Sequence, residues 1–382
     1  MNKFSLTDLN ELIRINEYPC ISVYLPTQMK GINLQQNHIK LKNLLSKCQS
    51  KLEAEWAHEK VMEFLEPGSS FQNDTYFWSR QSEGIALFIS PDFSHYYNLS
   101  VAPEEKIFIG NYFNILPLLP VLSKNKKYYI LLLRQKGLML FMADFYSMRE
   151  IELPDVPTSI DEILQYDVKK ENIQVHSMSA GKAAGTSVLF HGLGDIPDEA
   201  LHKKNIERYL KEVARGIDRQ LAGQTIPLVL AGVEYEQAIY RQYSRYRHIL
   251  SKGFSNNFGK FDIKEIHNLA QKIVQPVLRK DILDSIAIYK NLSNTKKTSS
   301  DIREILPAAY LGRINSLFLD VHKNMAGKVN NEFGQITIFE NEKENPEDLL
   351  NLAAIYALKS NAKVYAVSSK ELGAPIAAVF RY

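Results

Sequence analysis

Residues 199–221 read EALHKKNIERYLKEVARGIDRQL, an uninterrupted helical pattern. At ~100° per residue, Ile206, Leu210, Val213, Ile217 and Leu221 fall on one side and Lys204, Arg208, Lys211, Arg215 and Arg219 on the other. Upstream, residues 128–153 hold two or three apolar strands joined by a turn at Gly137, and downstream the apolar run IPLVLAG occupies residues 226–232. A strand, long helix, strand order with so apolar a final strand predicts an α/β arrangement in which helices cover a sheet.

The polar face of this helix is unusual in sign. A solvated face generally mixes charges, whereas here Glu207, Glu212 and Asp218 flank a column of five cations. Such a column can follow a phosphate backbone, because each neutralised phosphate releases a counterion. An ordinary solvated helix face is the competing reading. Ahead of the helix, residues 176–195 read HSMSAGKAAGTSVLFHGLGD, with Gly181, Gly185, Gly192 and Gly194 around a single lysine, Lys182. Glycine lowers the steric cost of unusual backbone angles and raises the entropy cost of order, so the segment suits a probe entering a partner's crevice. A loop without a task is the plain alternative. A phosphate cradle is disfavoured, since AGKAAGTS misses the GxxxxGK[ST] spacing. A second candidate lies in residues 235–248, where Tyr235, Tyr240, Tyr243 and Tyr246 interleave with Arg241, Arg245, Arg247 and His248. Stacking on bases is one reading; tyrosines packed on a sheet with wet hydroxyls is the preferred one.

Working outward, residues 1–125 form a first α/β block: a helix from Leu6 to Ile15, the strand CISVYLP, a helical stretch from Leu34 to Phe64, and three β-like runs separated by Pro91 and Pro103. The second block, 126–261, contains the loop at 175–195 and the basic helix at 199–221, followed by a helix over 234–250. The third block, 262–382, opens with one helix over 262–292 and alternates helices with apolar strands, which predicts a three-layer α/β/α domain. No internal repeat is present.

Composition bounds the rest. The 382 residues exceed one ordinary core and fit two or three domains; three are expected. Net charge is only +3, so affinity for polyanions has to come from local clusters. Two distant cysteines, Cys20 and Cys48, argue against a disulfide framework or a structural zinc, and the nine histidines are scattered without HExxH spacing, so no metal and no cofactor are expected. The N-terminus lacks a signal-peptide core, and the longest greasy run, residues 112–122, carries two prolines and is too short to span a bilayer. A cytoplasmic protein without membrane attachment is expected; export by a signal-less route leaves no trace in such a reading. There is no GxSxG motif, and pairs such as Asp161 and Glu162 suit caps or surface helices.

The order of several pieces, namely YPCISVYLPT, KKNIERYLKEVARGIDRQL, IPLVLAGVEYEQAIYRQY, ILPAAYLGRINSLFLD, EDLLNLAAIYALKSNAKVYAV and IAAVFRY, resembles the bacterial family related to archaeal and eukaryotic peptide-chain release factors and Pelota. The resemblance runs through nearly the whole chain. It implies an N-terminal α/β domain, a ribonuclease H-like middle domain, and a C-terminal domain like the kink-turn-binding ribosomal proteins, in a molecule that mimics tRNA and binds the ribosome, rRNA or tRNA. It places the 176–195 loop where release factors carry Gly-Gly-Gln. Here the sequence departs from the pattern, since no glutamine lies between Val175 and Arg219. Release chemistry positions water against an ester, and Lys182 lacks the acceptor carbonyl of an amide side chain. Gly181, Lys182, Gly185, Lys204, Arg208, Lys211, Arg215 and Arg219 are therefore the candidate nucleic-acid-binding residues, and no catalytic residue is assigned. The expected function is ribosome rescue or silencing without peptidyl-tRNA hydrolysis. Two alternatives stay open: a peptidyl-tRNA or other ester hydrolase using His176, Lys182 or His191, and a protein-interaction scaffold that keeps the fold.

Overall fold

A computed structural model describes residues 4–27, 34–72, 74–79, 81, 83–124, 126–163, 198–255, 262–293, 295–330, 335–339 and 347–382. In chain order the elements are α1 (Leu6–Leu12), β1 (Cys20–Pro26), α2 (Leu34–Leu52), α3 (His58–Ser69), α4 (Thr75–Ser79), β2 (Gly84–Ser90), β3 (Phe93–Leu99), β4 (Lys106–Gly110) and α5 (Leu119–Lys124). Then follow β5 (Tyr128–Leu132), β6 (Met139–Ala143), β7 (Met148–Ile151), α6 (Asp198–Gln220), β8 (Leu228–Ala231), α7 (Glu234–Tyr243) and α8 (Ile263–Leu278). The last stretch holds α9 (Lys280–Asn291), β9 (Thr298–Ser299), α10 (Ile302–Tyr310), β10 (Ile314–Leu319), β11 (Ala326–Asn330), β12 (Gln335–Ile338), β13 (Glu347–Asp348), α11 (Leu349–Lys359), β14 (Lys363–Ala366), α12 (Ser369–Leu372) and β15 (Ile376–Phe380). The protein is mixed α/β with several small sheets, as its alternating pattern predicts.

By compactness the described chain divides into two units, residues 1–124 with 281–382, and residues 125–280. In the first unit, the antiparallel sheet β3-β2-β1-β4 pairs Val23 with Leu87 on one side and with Ile107 on the other. Continuous apolar runs make β1 and β2 buried on both faces. One face of this sheet meets α2, α3 and α4 in a core containing Ile21, Val23, Leu41, Leu45, Val61 and Trp78. The other face shares a core with the last segment, where Tyr24, Phe88 and Phe113 join Ile305, Leu317, Leu350 and Ile355. A second sheet, β14-β10-β15-β9, carries α10 and α11 on this core and α9 on its far face, through Ile282, Ile286, Phe318 and Val379. Asp301 and Asp348 cap α10 and α11, each accepting from the backbone N–H two residues on.

The seam between the first and last segments of this unit is polar and satisfied. The Asn351 amide accepts from Ile115 N at 2.8 Å and donates to Phe113 O at 3.0 Å. Neighbouring Asn114 donates its backbone N–H to Ser22 Oγ at 3.0 Å, and its carbonyl accepts from Tyr24 Oη at 2.6 Å. These groups are buried, so each bond spares a backbone group an unpaired burial worth ~1–3 kcal/mol.

The second unit is built on the sheet β7-β6-β5-β8, antiparallel except that β5 and β8 run parallel, with Ile130 opposite Val229. A parallel pair needs a crossover, and α6 lies in that connection. Helices α6 and α7 cover one face through Leu131, Leu140, Leu210, Val213, Ile217 and Tyr240. Helix α8 covers the other, setting Ile266, Ala270 and Val274 against Tyr128, Ile130, Leu132 and Phe141.

Three expectations about elements change. The helical stretch from Leu34 to Phe64 is broken, with α2 ending at Leu52 and α3 starting at His58. The single helix expected over 262–292 is two, α8 and α9, separated at Arg279. Moreover α8, which sequence places in the third block, packs on the central sheet because its i, i+4, i+8 apolar stripe fits that face. Finally, the helix expected over 234–250 stops at Tyr243, where Ser244 turns extended with ψ 141°. Among the described residues, no helix is long and apolar enough to cross a membrane.

Candidate nucleic-acid interface

Helix α6 is held to the sheet by residues it buries completely. Tyr209, Leu210, Val213, Ala214 and Ile217 have almost no exposed surface, and the Tyr209 hydroxyl lies 3.1 Å from Arg134 O and 3.3 Å from Thr158 O. At Gly216 the helix comes so near the 153–158 loop that a Cβ would sit 2.7 Å from Val156 Cγ2. The helix ends in a turn around Gly223, whose φ of 75° favours glycine.

This packing fixes the opposite face. Lys204, Arg208, Arg215 and Arg219 are exposed and Lys211 is half-buried; at 3.6 residues per turn the five occupy about 80° of arc. Three of them have weak local partners. Arg215 Nη1 pairs with Glu212 Oε1 at 2.7 Å, one turn away on the surface, an arrangement worth a few tenths of a kcal/mol. Lys211 Nζ stands 5.4 Å from the centroid of the Tyr243 ring, and Arg219 Nη2 reaches Asp155 O at 3.5 Å. Such contacts orient Lys211, Arg215 and Arg219 while leaving their charge facing solvent.

The carboxylates on the flank serve the neighbouring segment. Asp218 accepts from Ser244 Oγ at 2.6 Å, from Arg245 N at 2.7 Å and from Tyr246 N at 3.2 Å. Glu207 accepts from the Tyr243 hydroxyl, which raises that tyrosine's pKa. The chain after α7 is thus tied to the edge of the stripe, and exposed Arg245 is placed beside it. Within the 235–248 segment, Tyr240 is buried with its pKa raised by desolvation, and Tyr246 Oη donates to Ile226 O at 2.5 Å. Arg241 Nη1 donates to Leu250 O at 2.5 Å. These three side chains pack the domain and are withdrawn from any base-stacking role. The signal that sequence reasoning missed is Asp218, which recruits Arg245 to the same surface from 27 residues away.

Gly181, Lys182 and Gly185, together with His176 and His191, lie outside the described residues. Among the described residues, no group of three or more His, Cys, Asp or Glu is placed to hold a metal ion. Cys20 and Cys48 are free and buried, and burial pushes their thiols up to about 11 and about 12.

The profile of bacterial archaeo-eukaryotic release factor family 7 matches residues 128–276, the stretch from β5 into α8. Among solved structures, the chain is similar to Archaeoglobus fulgidus Pelota at 10% identity, covering 100% of this chain and 94% of that one with a TM-score of 0.33. It is similar to the archaeal translation termination factor aRF1 at 13% identity, 98% and 96% coverage and a TM-score of 0.25. It is also similar to S. cerevisiae Dom34, described as a translation termination-like factor involved in RNA quality control and interacting with Hbs1, at 14% identity, 83% and 78% coverage and a TM-score of 0.34. No curated protein matches.

Proposed function

We propose that this protein binds the ribosome or tRNA-like RNA as a release-factor-like, translation-linked factor of the cytoplasm, and that it does so without hydrolysing peptidyl-tRNA. The observation that carries this reading is the column Lys204, Arg208, Lys211, Arg215 and Arg219, held on one side of α6 by a fully buried opposite face. The match of residues 128–276 to a release-factor-related family supports the same direction. The three-domain plan of that class, with a ribonuclease H-like middle and a kink-turn-protein-like end, is part of the proposal. By the sequence resemblance, Gly181, Lys182 and Gly185 stand in the segment where release factors carry Gly-Gly-Gln, and the absence of glutamine from residues 175–219 removes the side chain that would position water.

The test is co-sedimentation with ribosomes across a salt series. The wild type is expected to bind with an affinity that falls steeply as salt rises, and reversal of the five cations to Glu is expected to abolish binding and flatten the slope. Binding indifferent to that reversal overturns the assignment of α6. Liberation of labelled peptide from loaded ribosomes by the wild type overturns the non-hydrolytic half and favours an ester hydrolase.

A further inference from the structure

We propose that the surface around Tyr310, in the first unit, is a stacking platform for single-stranded RNA. It is separate from α6, and its argument does not rest on the proposed role of that helix.

Three rings meet there from three elements. Tyr356 on α11 lies 5.4 Å from Tyr310 at the end of α10, and 6.2 Å from Tyr112 in the loop after β4, both edge to face. Lys359, one turn along α11 from Tyr356, holds its Nζ 4.9 Å from the Tyr112 centroid. The chain then turns through Leu311 and Gly312, whose φ of 69° favours glycine, and Arg313 N returns to Ala308 O at 2.8 Å. That turn carries the Arg313 guanidinium 5.6 Å from the Tyr382 centroid. Arg381 locks the two halves, donating from Nε to Ile314 O at 2.9 Å and from Nη2 to Ser360 O at 2.7 Å.

The rings are presented, not hidden. Tyr310 is 54% exposed and Tyr382 73%. Burial raises the Tyr356 pKa, with smaller contributions from Tyr112 and Glu347, and the Glu347 carboxylate accepts from Asn111 Nδ2 at 2.6 Å. The surface therefore offers pre-positioned aromatic faces alternating with cations. A protein-binding centre is depleted in charge and rich in aliphatic carbon, whereas here Leu311 is the exposed aliphatic among four rings and three cations. Rings beside cations are what unpaired bases and their phosphates require, since stacking holds the base and the cation the backbone. A duplex, with its bases already stacked, gains only the phosphate part.

The experiment titrates the full-length protein with fluorescent oligo-uridylate and oligo-adenylate of about ten nucleotides, within the usual site size of such surfaces. Tyr310→Ala is expected to weaken binding by roughly tenfold or more, while Tyr310→Phe keeps it, because stacking needs the ring and not the hydroxyl. Arg313→Glu is expected to weaken binding and reduce its salt dependence. The same oligonucleotides are titrated against the chain with the five α6 cations reversed. Retained binding there, lost on adding Tyr310→Ala, assigns the site to this surface whatever α6 does. Absence of oligonucleotide binding by the wild type, or binding unchanged by Tyr310→Ala and Arg313→Glu, overturns the proposal. So does a protein ligand lost on Tyr310→Ala when oligonucleotide binding is not.

Discussion

The Asp218 carboxylate on α6 accepts the backbone N–H of Arg245 at 2.7 Å. Through that bond a residue on the flank of the cationic column decides where the next arginine stands. Two further donors, Ser244 Oγ and Tyr246 N, converge on the same side chain. Removing it in Asp218→Ala strands half-buried donors, and a stability loss of ~1–3 kcal/mol is expected from the typical cost of such groups. Urea unfolding monitored by circular dichroism measures it; an unchanged midpoint would refute the anchoring role.

Contact between Gly216 and Val156 makes a steric prediction. Gly216→Ala improves helix propensity by up to ~1 kcal/mol, yet its Cβ would meet Val156 Cγ2 at 2.7 Å. Overpacking typically costs ~1–3 kcal/mol, so the single variant is expected to be destabilised on balance. Val156→Ala in the same chain is expected to relieve it. A double-mutant cycle on thermal midpoints reads the coupling, and strict additivity would show that the two residues do not press on each other.

Asp348 makes a prediction about pH. Burial at the start of α11 pushes its carboxyl up to about 6, against the opposing influence of the backbone N–H groups of Met325 and Leu350. Because the folded-state value lies above the unfolded one, folding favours the protonated form. Its stabilising contribution is fully present below about pH 4 and is lost as pH rises through 6. An asparagine keeps the capping oxygen without the charge. Asp348→Asn is thus expected to gain stability relative to the wild type as pH goes from 4 to 7, by up to a few kcal/mol. Chemical denaturation at both values checks the sign, and a difference between the chains that stays constant with pH would contradict it.

Much of this arrangement is legible in local pattern. A column of five cations opposite five apolar residues over 23 positions can be read from spacing alone, and α6 arranges them so. What local pattern hides is decided at long range. The end of α7 at Tyr243 carries no glycine or proline; its stop comes from Asp218, which lies on another helix. The allegiance of α8 depends on which exposed sheet face its apolar stripe fits, and the stripe itself does not say. The break at Arg279 has one local mark, Pro276 three residues earlier, which the helical periodicity on either side outweighs. Asn351 reads as an ordinary polar residue in an apolar helix until Phe113 and Ile115 are seen beside it.

The shared core of the first and last segments, closed over Asn351, also imposes an order of events during synthesis. Leaving the ribosome from its N-terminus, residues 1–124 expose the Tyr24 and Phe88 face of their sheet until partners such as Ile305 and Leu350 have been translated. Residues 125–280 need no such wait, as both faces of their sheet are covered by their own helices. At ~5–20 residues per second, that interval lasts on the order of ten seconds or more. The nascent chain therefore matures from its middle outward, and its opening segment is the part most in need of a chaperone.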